Sequence, residues 1–189
     1  MTDLTTLSSA HAQFSKVLGA VDEAAWQRST PCGDWSVRDL VGHVIGGERM
    51  AVGLLAGGTV DDARALITEA PPAGNLREAF AAAAAACSSA FAATGAMEMI
   101  VHHPIGDVAG SQLLDFRVGD VTVHAWDLAR AIGADEALDP QLVEAVWGQL
   151  EPISSFIGTI GIFGDGPSGT VGEDEELQLR LLDLTGRRP

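Results

Sequence analysis

The sequence predicts an all-α fold, and three observations point there. Apolar residues make up 47% of the chain, yet aromatics are only 5% and tyrosine is absent. Alanine, leucine, valine and glycine take their place, which suits closely packed helices better than a sheet of aromatic and β-branched side chains. Apolar positions also recur at three- and four-residue spacing through most of the chain, the period of an amphipathic helix.

The elements follow in order. Residues 3–20 form a first helix, with Leu4, Leu7, His11, Phe14, Val17 and Leu18 on one stripe. A loop spans Gln27 to Trp35, because Thr30-Pro31 bars helix and Gly33-Asp34 is turn chemistry. Ser36 opens a second helix, with Asp39 three residues on as a short capping box. It runs through Leu40, Val41, Val44 and Ile45 to Leu55, where Gly57-Gly58 stops it. Residues 57–75 read as an irregular connection ending in Pro71-Pro72. A third helix covers 76–93, including six consecutive alanines from Ala81 to Ala86. Residues 97–110 are the one extended connection. A long fourth helix runs from Ser111 to Ile132 and ends at Gly133. Asp139-Pro140 starts a fifth, 140–158, as an N-cap followed by proline at the first helical position. The chain is then glycine-rich from Gly161 to Gly172, and 177–184 closes it.

With 189 residues and 19.6 kDa the chain is sized for one domain, 1–189, in which 163–189 is a C-terminal tail packing on the bundle. Acidic residues outnumber basic ones 26 to 11, giving a net charge of −15. Nucleic acid and anionic membrane surfaces are poor partners for such a surface, which lacks the cations that displace phosphate counterions. Cys32 and Cys87 form neither a disulfide framework nor a zinc-finger pattern. No secretory leader and no membrane span are visible, so the expected location is the cytoplasm. The alanine-rich third helix would allow close approach of a second copy, so a homodimer is also expected.

The chemistry centres on DVTVHAWD in the fourth helix. Asp120 and His124 stand four residues apart and share a helical face. His43, beside the buried stripe of the second helix, is the candidate third partner. Two imidazoles and a carboxylate make a zinc-type set that leaves a fourth position open. The same pattern also suits a chance pair and a hydrogen-bonded core histidine, so spacing leaves both readings open.

Two longer motifs bear on the choice. TPCGDWSVRDLVGHVIGG at 30–47 resembles the opening signature of the mycothiol-dependent maleylpyruvate isomerase N-terminal family, within the DinB-like superfamily. GDVTVHAWDLARAIG at 119–133 resembles its second signature, and 163–189 is similar to the C-terminal run of a small single-domain subgroup. The resemblance implies a DinB-like four-helix bundle with a long crossover, plus a short extra helix and an extended C-terminal tail. It implies a divalent metal, usually zinc, on His43, Asp120 and His124. It also implies a low-molecular-weight thiol such as mycothiol as cofactor, and transfer to or isomerisation of a small electrophile. A metal-bound thiol ionises near neutral pH, and the thiolate is the nucleophile. Asp120 stands where the characterised isomerase carries Glu, so the triad is expected more than maleylpyruvate isomerisation itself. The alternative is a non-catalytic, dimeric bundle that binds a metal or a small molecule.

Other residues read as structural. Asp127 is taken to hydrogen-bond backbone or Trp35, over the alternative of orienting a histidine ligand. Trp35 and Trp126 are read as wedges between helices. Cys32 closes a loop and Cys87 is a small core residue. His11 and one of His102 or His103 remain further candidates for a ligand or base. Arg38, Asp39, Glu48 and Arg49 are read as a solvated face or interhelical pairs, and Arg187-Arg188 as too short for a basic patch.

Overall fold

The computed structural model describes residues 2–157 and 166–189. Four long helices dominate: α1 (Leu4–Gly19), α2 (Val37–Leu55), α4 (Leu76–Phe91) and α5 (Gly110–Ile132). Helices α1 and α2 each pack against both α4 and α5, so consecutive α1 and α2 lie across the bundle from one another. The link between them, a 3-10 turn at Glu23–Gln27 and the loop after it, is therefore a crossover. Leu7, Phe14, Leu40, Ile45, Phe80, Leu113 and Trp126 are fully buried in the centre.

The start of α2 follows from its sequence. The Ser36 side chain accepts from the Asp39 N–H while the Asp39 carboxylate accepts from the Ser36 N–H, a complete capping box. Helix α5 ends at Gly133, whose φ of +72° only glycine adopts without strain. Between α4 and α5 an antiparallel hairpin pairs β1 (Ile100–His103) with β2 (Gly106–Ala109), within the stretch read as extended.

Two expectations are corrected. The connection 57–75 contains helix α3, Val60–Thr68. A capping box between Thr59 and Asp62 starts it, and it packs on α2. The expected helix 140–158 is interrupted: α6 (Pro140–Leu150) gives way to a 3-10 turn at Glu151–Ile153 before the short α7 (Ser154–Ile157). Pro152 is the cause, since it has no N–H to donate and its ring crowds the preceding turn. Residue 158 and the first part of the glycine-rich stretch lie outside the described residues.

Helix α8 (Leu177–Leu184) packs on α6 and buries Leu181 and Leu182 in the core. The Gln178 side chain donates to the Glu136 carbonyl and accepts from the Leu138 N–H, fixing α8 against the α5–α6 link. After α8 the chain turns back: the Arg187 N–H donates to the Leu182 carbonyl at 2.8 Å, with Gly186 at φ +79°. That turn aims Arg187 at the bundle. Among the described residues no helix is long and apolar enough to cross a membrane.

Candidate functional site

The second and fifth helices face each other across a cavity of about 320 Å³. His43 reaches it from α2, and Asp120 and His124 reach it from adjacent turns of α5. Each offers one donor atom, and the three atoms lie within 4.8 Å of one another. Asp120 Oδ1 stands 3.4 Å from Nε2 of His43 and 3.4 Å from Nε2 of His124. Two donors bound about 2.1 Å from one tetrahedral ion are themselves about 3.4 Å apart, so the set fits a small divalent cation. The structure thus brings together the three residues that the sequence singled out.

Two of the three donors, His124 and Asp120, are held from behind. The Nδ1 of His124 is 2.9 Å from Oδ2 of Asp127, which is fully buried. A carboxylate has no proton to give, so Nδ1 donates and Nε2 is the edge of the ring that faces the cavity. Asp127 is therefore a partner of the histidine, and the structural reading of it is corrected. Asp120 Oδ2 accepts from Arg117 Nη1 at 3.1 Å, and Arg117 in turn is clasped by Glu48. Burial would raise the Asp120 carboxyl, but Arg117, His124 and His43 outweigh it and hold the group well below the usual carboxylate range. Burial would lower His124, yet Asp120, Asp127 and Cys32 together hold its proton well above the ordinary imidazole range.

The loop before α2 supplies one wall. The Thr30 N–H donates to the Trp35 carbonyl at 3.0 Å, and the Thr30 hydroxyl accepts from the Cys32 N–H at 3.1 Å. Cys32 Sγ consequently donates to Asp127 Oδ2 at 3.1 Å and stands 3.7 Å from His124 Nδ1. Cys32, Asp127 and His124 form a second convergent group, on the opposite edge of the same imidazole. Arg187 already occupies it: its Nε and Nη2 donate to the two oxygens of Asp127 at 3.1 and 2.6 Å. Trp35 is over a third exposed at the cavity, its ring 4.7 Å from that of His43, and so is a wall of the site and not a core wedge. Trp126 is the buried wedge expected.

The remaining candidates fall elsewhere. His11 faces Glu48, Nε2 to Oε2, at 3.3 Å. His102 pairs with Asp107 across the hairpin at 2.7 Å, and His103 packs on Phe116. None of the three lines the cavity. Glu48 is fully buried, which its place beside Arg49 in α2 did not signal. Cys32 and Arg187 were missed as site residues. The only sequence signal for Cys32 was its position just ahead of a capped helix, and Arg187 had none.

Fold and site together define a helical bundle with a convergent histidine–carboxylate pocket. The chain belongs to the mycothiol maleylpyruvate isomerase N-terminal domain family, whose model matches residues 7–129. Two uncharacterized proteins of Mycobacterium tuberculosis, from strains CDC 1551 and H37Rv, are each 37% identical over 131 residues. The match takes in 68% of this chain and 66% of each relative, so the chain spans just under two thirds of their length. The crystal structure of the mycothiol-dependent maleylpyruvate isomerase superposes with a TM-score of 0.62 at 21% identity, over 84% of this chain and 69% of that one. A histidine-to-alanine mutant of that enzyme gives 0.63 at 21% identity, over 90% and 72%. These structures share the all-α, DinB-like fold.

Proposed function

We propose that the protein is a divalent-metal-dependent enzyme that uses a low-molecular-weight thiol of the mycothiol type to transfer to, or isomerise, a small electrophile. The observation that carries this reading is the meeting of His43, Asp120 and His124 at one cavity, with Asp120 Oδ1 3.4 Å from each imidazole Nε2 and all three donor atoms within 4.8 Å of one another. Family membership supports the thiol and the reaction class, since the solved relative is a mycothiol-dependent isomerase. Zinc is the ion this donor set suits best, because two imidazoles and one carboxylate leave a fourth position open. The ion would supply a Lewis acid that favours the ionised form of a bound thiol.

The protein's own groups do the rest. Asp127 holds a proton at Nδ1 of His124, which fixes the ring and leaves Nε2 as donor. Trp35 and Val123 form apolar walls that exclude water from one side of the cavity. Arg187 neutralises Asp127, so the buried carboxylate does not repel an approaching thiolate. Cys32 is the protein thiol nearest the site, and its S–H is committed to Asp127.

Elemental analysis of protein purified without chelators and a thiol-transfer assay with mycothiol and an electrophile panel test the proposal together. One equivalent of metal and turnover that His124→Ala abolishes are expected. Turnover that ignores that substitution rejects the reading.

A further inference from the structure

The two oxygens of Asp120 face different neighbours. Oδ1 points to the two imidazoles, 3.4 Å from each Nε2, while Oδ2 accepts from Arg117 Nη1 at 3.1 Å. Arg117 is not free to release it. Its Nε and Nη2 both donate to Oε1 of Glu48, at 3.3 and 2.9 Å, and the two side chains are 4% and 0% exposed. Gly47 provides the space: a Cβ there would lie 2.3 Å from Arg117 Nη1, so the guanidinium rests directly on the α2 backbone. Helices α2 and α5 thus each contribute to the donor set and, deeper in the bundle, to the pair that grips one of its members.

A buried ion pair is not in itself the cheapest way to stabilise a fold. Taking two charges out of water is costly, and well-packed apolar residues of the same volume commonly serve a fold as well. A specific placement of Asp120 accounts for this pair. A carboxylate ligates through one oxygen or through both, and two-oxygen ligation would consume coordination space that a catalytic site must keep open. We infer that Arg117, clamped by Glu48, is a positioning residue that reserves Oδ2 of Asp120 and leaves only Oδ1 to ligate. The ion held by His43, Asp120 and His124 then keeps room for a thiol and a substrate. This inference rests on the metal-dependent reading proposed above.

The test compares wild type, Arg117→Met, Arg117→Lys and the double variant Glu48→Gln/Arg117→Met. Zinc affinity is read by competition with a chromophoric chelator. The visible spectrum of the cobalt(II)-loaded protein reports coordination number, because four-coordinate cobalt absorbs far more strongly than five- or six-coordinate cobalt. Arg117→Met is expected to lose about 10- to 100-fold in zinc affinity, the usual effect of removing a group that orients a ligand. Its cobalt band should weaken as Oδ2 becomes a ligand, and Arg117→Lys should fall between it and wild type. If Arg117→Met does not fold, the double variant, which leaves no unpaired buried charge, is held to the same two expectations. Unchanged affinity, or lower affinity with an unchanged cobalt spectrum, overturns the positioning role while leaving the metal site standing. Wild type that binds neither ion, or binds both equally well after His124→Ala, removes the metal-dependent reading and this inference with it.

Discussion

The imidazole of His124 donates through Nδ1 to Asp127 across 2.9 Å, and this single bond decides which edge of the ring faces the cavity. Asp127 is fully buried and accepts from Arg187 and Cys32 as well, so three groups hold it in place. Asp127→Asn retains an acceptor oxygen but loses the charge that makes the imidazole a better donor. Its zinc affinity should fall about tenfold, and that of Asp127→Ala by about 100-fold. Chelator competition measures both, and equal affinity in all three proteins would mean that Asp127 plays no part in orienting the ring.

Metal binding should also appear as stability. An ion that binds only the folded state, present at about 100 times its dissociation constant, adds about 2.7 kcal/mol. For a chain of this size that corresponds to about 5–11 °C in Tm. Zinc is therefore expected to raise the Tm of chelator-stripped wild type by that amount, and to leave His43→Ala and His124→Ala unmoved. A calorimetric scan with and without zinc decides it; a wild-type Tm that ignores the ion counts against the site.

The Glu48–Arg117 pair makes a prediction on the acid side. Burial would raise the Glu48 carboxyl, but Arg117 and then His11 outweigh it and hold the group below its ordinary value of 4.5. The folded chain therefore takes up this proton less readily than the unfolded chain. The stabilisation is full above about pH 4.5 and is lost as pH falls toward the depressed folded value. Glu48→Gln should be less stable than wild type by about 3–5 kcal/mol at pH 7, because Arg117 loses its principal buried counter-charge. The gap should narrow between pH 5 and pH 3. Urea unfolding at these pH values checks it; a gap that stays constant with pH would show that folding does not shift the Glu48 carboxyl, and one that widens toward acid would show that it is protonated in the folded protein.

What the sequence disclosed and what it withheld divide by range. The α2 start was legible because Ser36 and Asp39 cap each other three residues apart, and Asp120 with His124 because one helical turn joins them. Helix α3 was obscured by its surroundings. Gly57-Gly58 and Pro71-Pro72 bracket it, and they hid the equally local Thr59–Asp62 box. For Glu48 the sequence left a solvated face and an interhelical pair both open, because its partner Arg117 lies on another helix, 69 positions away. Arg187 reaches Asp127 over 60 positions, and only after α8 has docked on α6 and the chain has reversed at Gly186. No periodicity or spacing encodes that arrival. His11 and His103 kept to the bundle interior and to the hairpin–α5 contact, so a histidine on an apolar stripe was no guide to the site.

The reversal at Gly186 ties the end of the chain to the site through one ion pair, and its strength is measurable. Arg187 is 11% exposed and Asp127 not at all, so solvent screens the pair little. Both Asp127 oxygens accept from the guanidinium, one from Nε and the other from Nη2. Hydrogen bonds to charged groups contribute about 1.5–3 kcal/mol each, and burial leaves the survivor unpaired when one partner is removed. A double-mutant cycle of Arg187→Met and Asp127→Asn, read by urea unfolding at pH 7, should give a coupling of about 1.5–3 kcal/mol. Arg187→Lys should recover only part of it, since one ammonium cannot address both carboxylate oxygens as the planar fork does. A coupling below about 0.5 kcal/mol, the level at which independent sites simply add, would mean that α8 holds the wall of the cavity in place without help from this contact.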